Sequence, residues 1–192
     1  MAPKILHDSS LHDLKEILDI TSKKVAIIGN AESIFHEKRG SIIDMHDIVI
    51  RINKGGVNDV AYQGTRTDYI CLSLLLEIDE LKQFHKTGKV IWMTPKRAKL
   101  SNDFLAHVTP MFYPRKMWWK LFYQLGKHRP STGLMAIDLV NACTPKNISL
   151  FGFDFKKTKT FYDPVNYLGP HNWNAEKEWV EKHSSANYLT IN

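Results

Sequence analysis

Lys24-Val25-Ala26-Ile27-Ile28-Gly29-Asn30 is the stretch on which the reading of this chain turns. Four consecutive apolar residues bounded by a glycine read as a short buried strand. Gly29 lets the backbone turn sharply and approach a ligand, and the Asn30 amide offers a donor and an acceptor to a base or a ribose. No second glycine follows until Gly40, so the dinucleotide fingerprint G-x-G-x-x-G is not met, and a P-loop is equally missing. Taken alone, the segment fits either the edge of a nucleotide site or a plain strand-ending turn.

Outward from this strand the same alternation recurs. Upstream, Ser9-Ser10 precede Leu11, Leu14, Ile17 and Leu18, which share one helical face. Downstream, strands are expected at Asp47 to Ile52, Asp68 to Leu72, Lys89 to Met93 and Asn147 to Phe151, with a last one over Tyr188 to Ile191. Helices are expected over Leu74 to Phe84, Lys116 to Leu125, Thr132 to Cys143 and Asn174 to His183. Strands of about five residues alternating with helices predict an α/β fold with a mostly parallel sheet. Such sheets bind ligands beyond the carboxyl ends of their strands.

The 192 residues suffice for one domain, 1–192, with a full core, and are few for two. No apolar run is long enough to span a bilayer, and Met1 to Ile5 lacks the apolar region of a signal peptide, so a cytoplasmic protein is expected. Cys71 and Cys143 lie in apolar runs and read as buried, reduced thiols. The nine histidines form none of the spacings of a zinc site. A formal charge of +6 admits a phosphorylated ligand, an anionic membrane surface or nucleic acid without choosing among them.

Two more segments carry candidate chemistry. Pro130-Ser131-Thr132-Gly133 opens a helix that is apolar nearly all round and therefore buried, with Ser131 as its N-cap. Its free N–H groups, its dipole and two small hydroxyl residues suit a phosphate, with Gly133 allowing close approach. A simple capped helix is the alternative. Further on, Pro170 fixes the chain ahead of His171, and Asn174 is placed to cap the helix that carries Glu176. His171 has the ordinary pKa to take a proton from a sugar hydroxyl, with Glu176 orienting it or holding the helix start. The alternative is a surface histidine beside a charged helix.

In order and spacing these segments resemble the sialyltransferases, glycosyltransferase family 29. The family's large motif looks like Val25 to Asn53, ending Asp44-Met45-His46-Asp47-Ile48-Val49-Ile50-Arg51-Ile52-Asn53, with Gly64-Thr65-Arg66-Thr67 after it. Its small motif looks like Ser131-Thr132-Gly133 through Leu150-Phe151-Gly152-Phe153, and its last motif matches His171 and Glu176. The resemblance implies a single Rossmann-like domain of glycosyltransferase-A type, its mostly parallel sheet flanked by helices. It also implies a CMP-sugar donor, a glycan acceptor and no metal or other cofactor. By matching position, Asn30 and Asn53 contact the cytidine nucleotide, and Ser131, Thr132 and Gly133 hold phosphate or carboxylate. Gly152 lines the donor pocket, and His171 is the general base, with Glu176 beside it in the catalytic set. The chain carries no Asp-x-Asp, the metal ligand of many other sugar-nucleotide transferases.

Three departures stand out. Lys24 and Val25 occupy the place of a cysteine that the family often bridges to its small motif, while Cys143 remains. The third motif is represented only by Phe161-Tyr162-Asp163, without its histidine. Arg129 stands where the family often has tyrosine.

The function expected is inverting transfer of sialic acid, or a related 2-keto sugar acid such as Kdo, from its CMP form to a glycan hydroxyl of the cell envelope. No transmembrane segment and no nucleic acid belong to this reading, while peripheral association with a membrane stays open. The alternatives are a transferase using another nucleotide sugar and a non-catalytic nucleotide-sugar or glycan-binding module.

Overall fold

The computed structural model describes residues 9–84, 88–163, 165, 167–185 and 188–192. In chain order these form α1 (Leu11–Leu18), β1 (Lys24–Ile28), α2 (Gly40–Asp44), β2 (Ile48–Ile52), α3 (Val60–Gln63) and β3 (Tyr69–Leu72). There follow α4 (Ile78–Phe84), β4 (Lys89–Trp92), α5 (Asn102–His107), β5 (Met111–Phe112) and α6 (Arg115–Gln124). The chain closes with α7 (Thr132–Ala142), β6 (Asn147–Phe151), α8 (Trp173–His183) and β7 (Leu189–Ile191). The expected strands and long helices are present. The helix expected from Leu74 begins only at Ile78, and the short elements α2, α3, α5 and β5 carry too few residues for a readable period. No helix among the described residues is long and apolar enough to cross a membrane.

All seven strands pair in parallel, in the order β5-β4-β3-β2-β1-β6-β7. Consecutive strands add outward from β1 to β5, and then the chain returns to place β6 and β7 on the other side. The direction of winding therefore reverses between β1 and β6, where an open α/β sheet forms its ligand crevice.

Strand polarity alternates by residue. Val25, Ile27, Ile50, Cys71 and Leu150 join the core cluster shared with α1, α7 and α8. Ala26, Ile28, Val49 and Phe151 pack on the opposite face with Ile34 and Ile43. Both faces are covered, as a parallel sheet requires. Helix α7 is buried from Leu134 to Val140, and Cys71 and Cys143 are buried free thiols.

Arg51 is the charged member of the fully buried strand β2. It is 0% exposed. Its Nε donates to the Arg66 carbonyl at 3.0 Å and to Thr67 Oγ1 at 2.9 Å, and its Nη2 donates to the Gln63 carbonyl at 2.8 Å. Burial lowers its pKa to about 10, leaving it charged at neutrality. The turn it holds is anchored from the other side by Asp44, whose carboxylate accepts from the Thr65 and Arg66 N–H groups and the Thr65 hydroxyl. Burial pushes the Asp44 carboxyl up, but those hydrogen bonds outweigh it and hold the group below its ordinary value. Thus Gly64-Thr65-Arg66-Thr67 is a structural turn that ties β2 to β3. Replacing Arg51 with Ala removes the hydrogen bonds to the Gln63 and Arg66 carbonyls and the Thr67 hydroxyl, and should cost about 3 kcal/mol or more of stability, read from the denaturant midpoint. A change below about 0.5 kcal/mol would show that the framework does not depend on this side chain.

Candidate active site

The crevice at the β1–β6 reversal is a cleft of about 190 Å³. Its floor is set by two glycines. A Cβ on Gly29 would lie 2.3 Å from the Gly152 carbonyl oxygen, and Gly152 has φ +66°. The strand ends are stitched by Gly29 N–H donating to the Phe151 carbonyl at 2.7 Å and Ala31 N–H donating to the Gly152 carbonyl at 3.2 Å. Asn30, Asn53, Ser131, Thr132, Gly133, Gly152, His171 and Glu176, distant along the chain, all line this one cleft.

Asn30 uses its amide differently from the simple expectation. Its Nδ2 donates to the Ile52 carbonyl at 2.9 Å and to the Tyr162 hydroxyl oxygen at 3.1 Å, so both donors are spent within the protein. Because the Ile52 carbonyl only accepts, the amide orientation is fixed. Oδ1 is left buried with no partner among the described residues. An unpaired buried acceptor costs about 1–3 kcal/mol. Gly55 leaves the room for this atom: a Cβ there would meet Oδ1 at 1.9 Å.

The Tyr162 oxygen also accepts from the Lys54 backbone N–H. Burial pushes its pKa up to about 12, so it stays a hydroxyl. With two donors already on the oxygen, its own hydrogen is available to an acceptor in the cleft. Asn53, with φ +50°, accepts from Ser73 N–H through Oδ1 at 3.0 Å and donates to Thr132 Oγ1 at 3.3 Å. It joins the ends of β2 and β3 to the start of α7.

Ser131 caps α7, its hydroxyl accepting from Leu134 N–H at 3.1 Å. The Thr132 and Gly133 N–H groups, in the first turn, have no acceptor within the helix. Gly133 is required for another reason than ligand approach: a Cβ there would lie 2.9 Å from the Phe153 ring. Glu176 does not touch His171. Its Oε1 accepts from Ser131 N–H at 2.7 Å and its Oε2 from the Ser131 hydroxyl at 2.5 Å. It is 2% exposed, and burial raises its pKa to about 7 against the pull of those two hydrogen bonds. Nor is Asn174 the cap of α8; Asn172 is, accepting from Ala175 N–H at 3.1 Å.

His171 instead uses Nδ1 to donate to the Arg129 carbonyl at 2.8 Å, which leaves Nε2 as a lone-pair acceptor. Its ring meets Trp173 edge-on at 5.1 Å. Burial, above all, lowers its pKa; the charges of Arg129 and Lys156 add to this, and the hydrogen bond to the Arg129 carbonyl opposes it. The imidazole is therefore neutral at pH 7. Gly169 makes space for it, since a Cβ there would approach Cδ2 at 2.9 Å. The remaining wall is the segment after β6, bearing Asp154, Lys156, Thr158 and Thr160. It is sewn to the chain after Asn30 by Glu32 N–H donating to the Lys159 carbonyl at 2.9 Å and Phe161 N–H donating to the Asn30 carbonyl at 3.0 Å. In this segment the sequence marks only Phe161-Tyr162-Asp163, the counterpart of the third motif. Within it, Pro164 and Asn166 lie outside the described residues.

Known proteins resemble this chain in sequence and fold. The family model for glycosyltransferase family 29 (sialyltransferase) matches residues 3–74, which include Asn30 and Asn53. The chimpanzee CMP-N-acetylneuraminate-beta-galactosamide-alpha-2,3-sialyltransferase 4 is 23% identical over 84% of this chain and 61% of its own length. By sequence and fold, this chain is similar to the family 29 sialyltransferases. It spans about three fifths of the length of the curated relatives it matches. A crystal structure of a mammalian sialyltransferase superposes with a TM-score of 0.65, at 18% identity, over 98% of this chain and 81% of that one. The sialyltransferase CstII from Campylobacter jejuni, solved with the substrate analogue CMP-3FNeuAc, gives a TM-score of 0.56 at 20% identity, over 88% and 79% of the two chains. The all-parallel sheet flanked by helices is thus the glycosyltransferase-A-like fold of this family's solved members.

The Glu176 carboxyl titrates near 7 in the folded chain against its ordinary 4.5. The folded state therefore holds the extra proton between those values, and stability falls as pH rises through that window, by on the order of 3 kcal/mol. Glu176→Gln removes the titration, so its denaturant midpoint should vary less between pH 5 and 8 and overtake the parent at the upper end. Parallel pH profiles for the two proteins would show that Glu176 is not the group responsible.

Proposed function

We propose that this chain is an inverting, metal-independent glycosyltransferase. It moves sialic acid, or a related 2-keto sugar acid such as Kdo, from its CMP form to a hydroxyl of a glycan. The carrying observation is that a neutral imidazole with Nε2 free, the open N–H groups of the α7 start and the Tyr162 hydroxyl all face one cleft. Related proteins of the same fold have been solved with CMP-3FNeuAc and with a trisaccharide acceptor and CMP, which supports this choice of donor and acceptor.

The roles follow from the chemistry. His171 Nε2 takes the proton from the acceptor hydroxyl as its oxygen bonds to the anomeric carbon. The bond from that carbon to the phosphate oxygen breaks on the opposite face, which inverts the configuration, and the electron pair leaves with CMP. Negative charge then grows on the departing phosphate. The Thr132 and Gly133 N–H groups, the α7 dipole and the Tyr162 O–H are placed to stabilise it, as donors preorganised in a shielded site. No metal ion is needed for that task in this scheme. Asn30 Oδ1 receives a donor from the nucleotide, and Asn53 sets the Thr132 hydroxyl. Glu176 acts as a positioning residue, holding Ser131 and with it the first turn of α7.

His171→Ala should lower transfer from CMP-sialic acid by about a thousandfold while leaving the dissociation constant of CMP within about threefold. EDTA should leave the parent's rate unchanged. Normal turnover by the variant would remove His171 from the base role. CMP binding without consumption of either donor by the parent would make the protein a binding module instead.

A further inference from the structure

The chain concentrates positive charge in one stretch whose basic side chains do not line the cleft. From residue 104 to 137 there is no Asp or Glu, while Arg115, Lys116, Lys120, Lys127 and Arg129 supply five positive charges of a formal excess of +6. Helix α6 lies in the middle of it. Arg115, Lys116, Trp119, Lys120 and Tyr123 fall at the i, i+1, i+4, i+5, i+8 spacing of one helical face, and all are exposed. Trp119 is 48% and Tyr123 63% exposed. The opposite side is anchored: Leu121 is buried, Trp118 stacks on Phe122 at 5.4 Å, and Gln124 accepts from Trp179 Nε1 at 3.1 Å. The exposed rings are thus held rigidly, with lysines beside them.

A second group of exposed apolar side chains, Val165, Tyr167 and Leu168, precedes His171. His171 bonds to the carbonyl of Arg129, at the end of the segment that follows α6. The two apolar groups therefore flank the same hydrogen bond along the chain.

We propose that the exposed face of α6, together with Val165, Tyr167 and Leu168, docks on an anionic lipid bilayer. Tryptophan and tyrosine favour the headgroup level of a membrane, and lysine and arginine on the same face meet anionic headgroups, each adding attraction near the surface. The aliphatic side chains decide against nucleic acid. A phosphodiester backbone with stacking bases makes use of the aromatic rings and the charges but offers little to Val165 and Leu168, which the acyl boundary of a bilayer would bury. This inference does not rest on the transferase reading, and its test involves no turnover.

The full chain is sedimented with phosphatidylcholine vesicles and with phosphatidylcholine–phosphatidylglycerol vesicles at about 7:3. Binding to the anionic vesicles should exceed binding to the neutral ones by about tenfold or more, and should weaken as salt rises. The pairs Trp119→Ser with Tyr123→Ser, and Lys116→Glu with Lys120→Glu, should each reduce it by about tenfold, the lysine pair with an unchanged thermal transition because both positions are exposed. Equal binding to both vesicles, no binding to either, or binding that survives both variant pairs would overturn the proposal. So would a single-stranded oligonucleotide that displaces the protein from anionic vesicles and whose own binding is lost in the same variants.

Discussion

Two backbones touch where β1 and β6 end, and the cleft follows from that contact. The Gly152 carbonyl occupies the space that any side chain at position 29 would need, and Gly152 itself sits at positive φ. The contact falls at the reversal of the winding order, so the segments leaving the two strands must part. One carries Asn30 forward. The other sends Phe153 against Gly133, at the first turn of α7. Three glycines from three parts of the chain thus fit the loops of the cleft to the start of a buried helix.

That helix start is an electrostatic feature as well as a packing one. Aligned peptide dipoles place roughly half a positive charge at the α7 N-terminus. A fully ionised carboxylate on Ser131 would cancel much of it. With its pKa near 7, Glu176 is close to half protonated at neutrality, so it orients Ser131 while leaving part of the positive end to the cleft. Division of labour is clear on both sides. Glu176 faces the cap and His171 faces the cleft, each held by a different partner, the one by Ser131 and the other by the Arg129 carbonyl.

The long stretch from Gly29 to Asn53 also divides in two. Its ends, Asn30 and Asn53, reach the cleft. Its interior is framework: the Asp47 carboxylate accepts from Lys24 N–H at 2.8 Å, and Arg51 and Asp44 clamp the turn before β3 from two sides. Asp68 completes the frame by accepting from Val49 N–H at 2.8 Å. A recognisable motif is therefore in large part a set of hydrogen bonds that keep two asparagines in place.

The sequence by itself determined the parallel α/β architecture, the extent of most long elements and the Ser131 cap; that the cleft residues share one site followed from the resemblance. The first three depend on local pattern: runs of apolar residues, caps and glycine punctuation act within a few residues. The tertiary structure alone decided what each polar group does. Arg51 looked like the polar member of an alternating strand, yet it is fully buried, because its partners come from a turn that only folding brings near. Asn30 spends its donors on Ile52 and on Tyr162, which is 132 residues away. Glu176 meets Ser131 across 45 residues and not the histidine five places before it. Hydrogen bonds are short and directional, so their partners are set by positions in space, which sequence spacing does not encode beyond the next turn of helix.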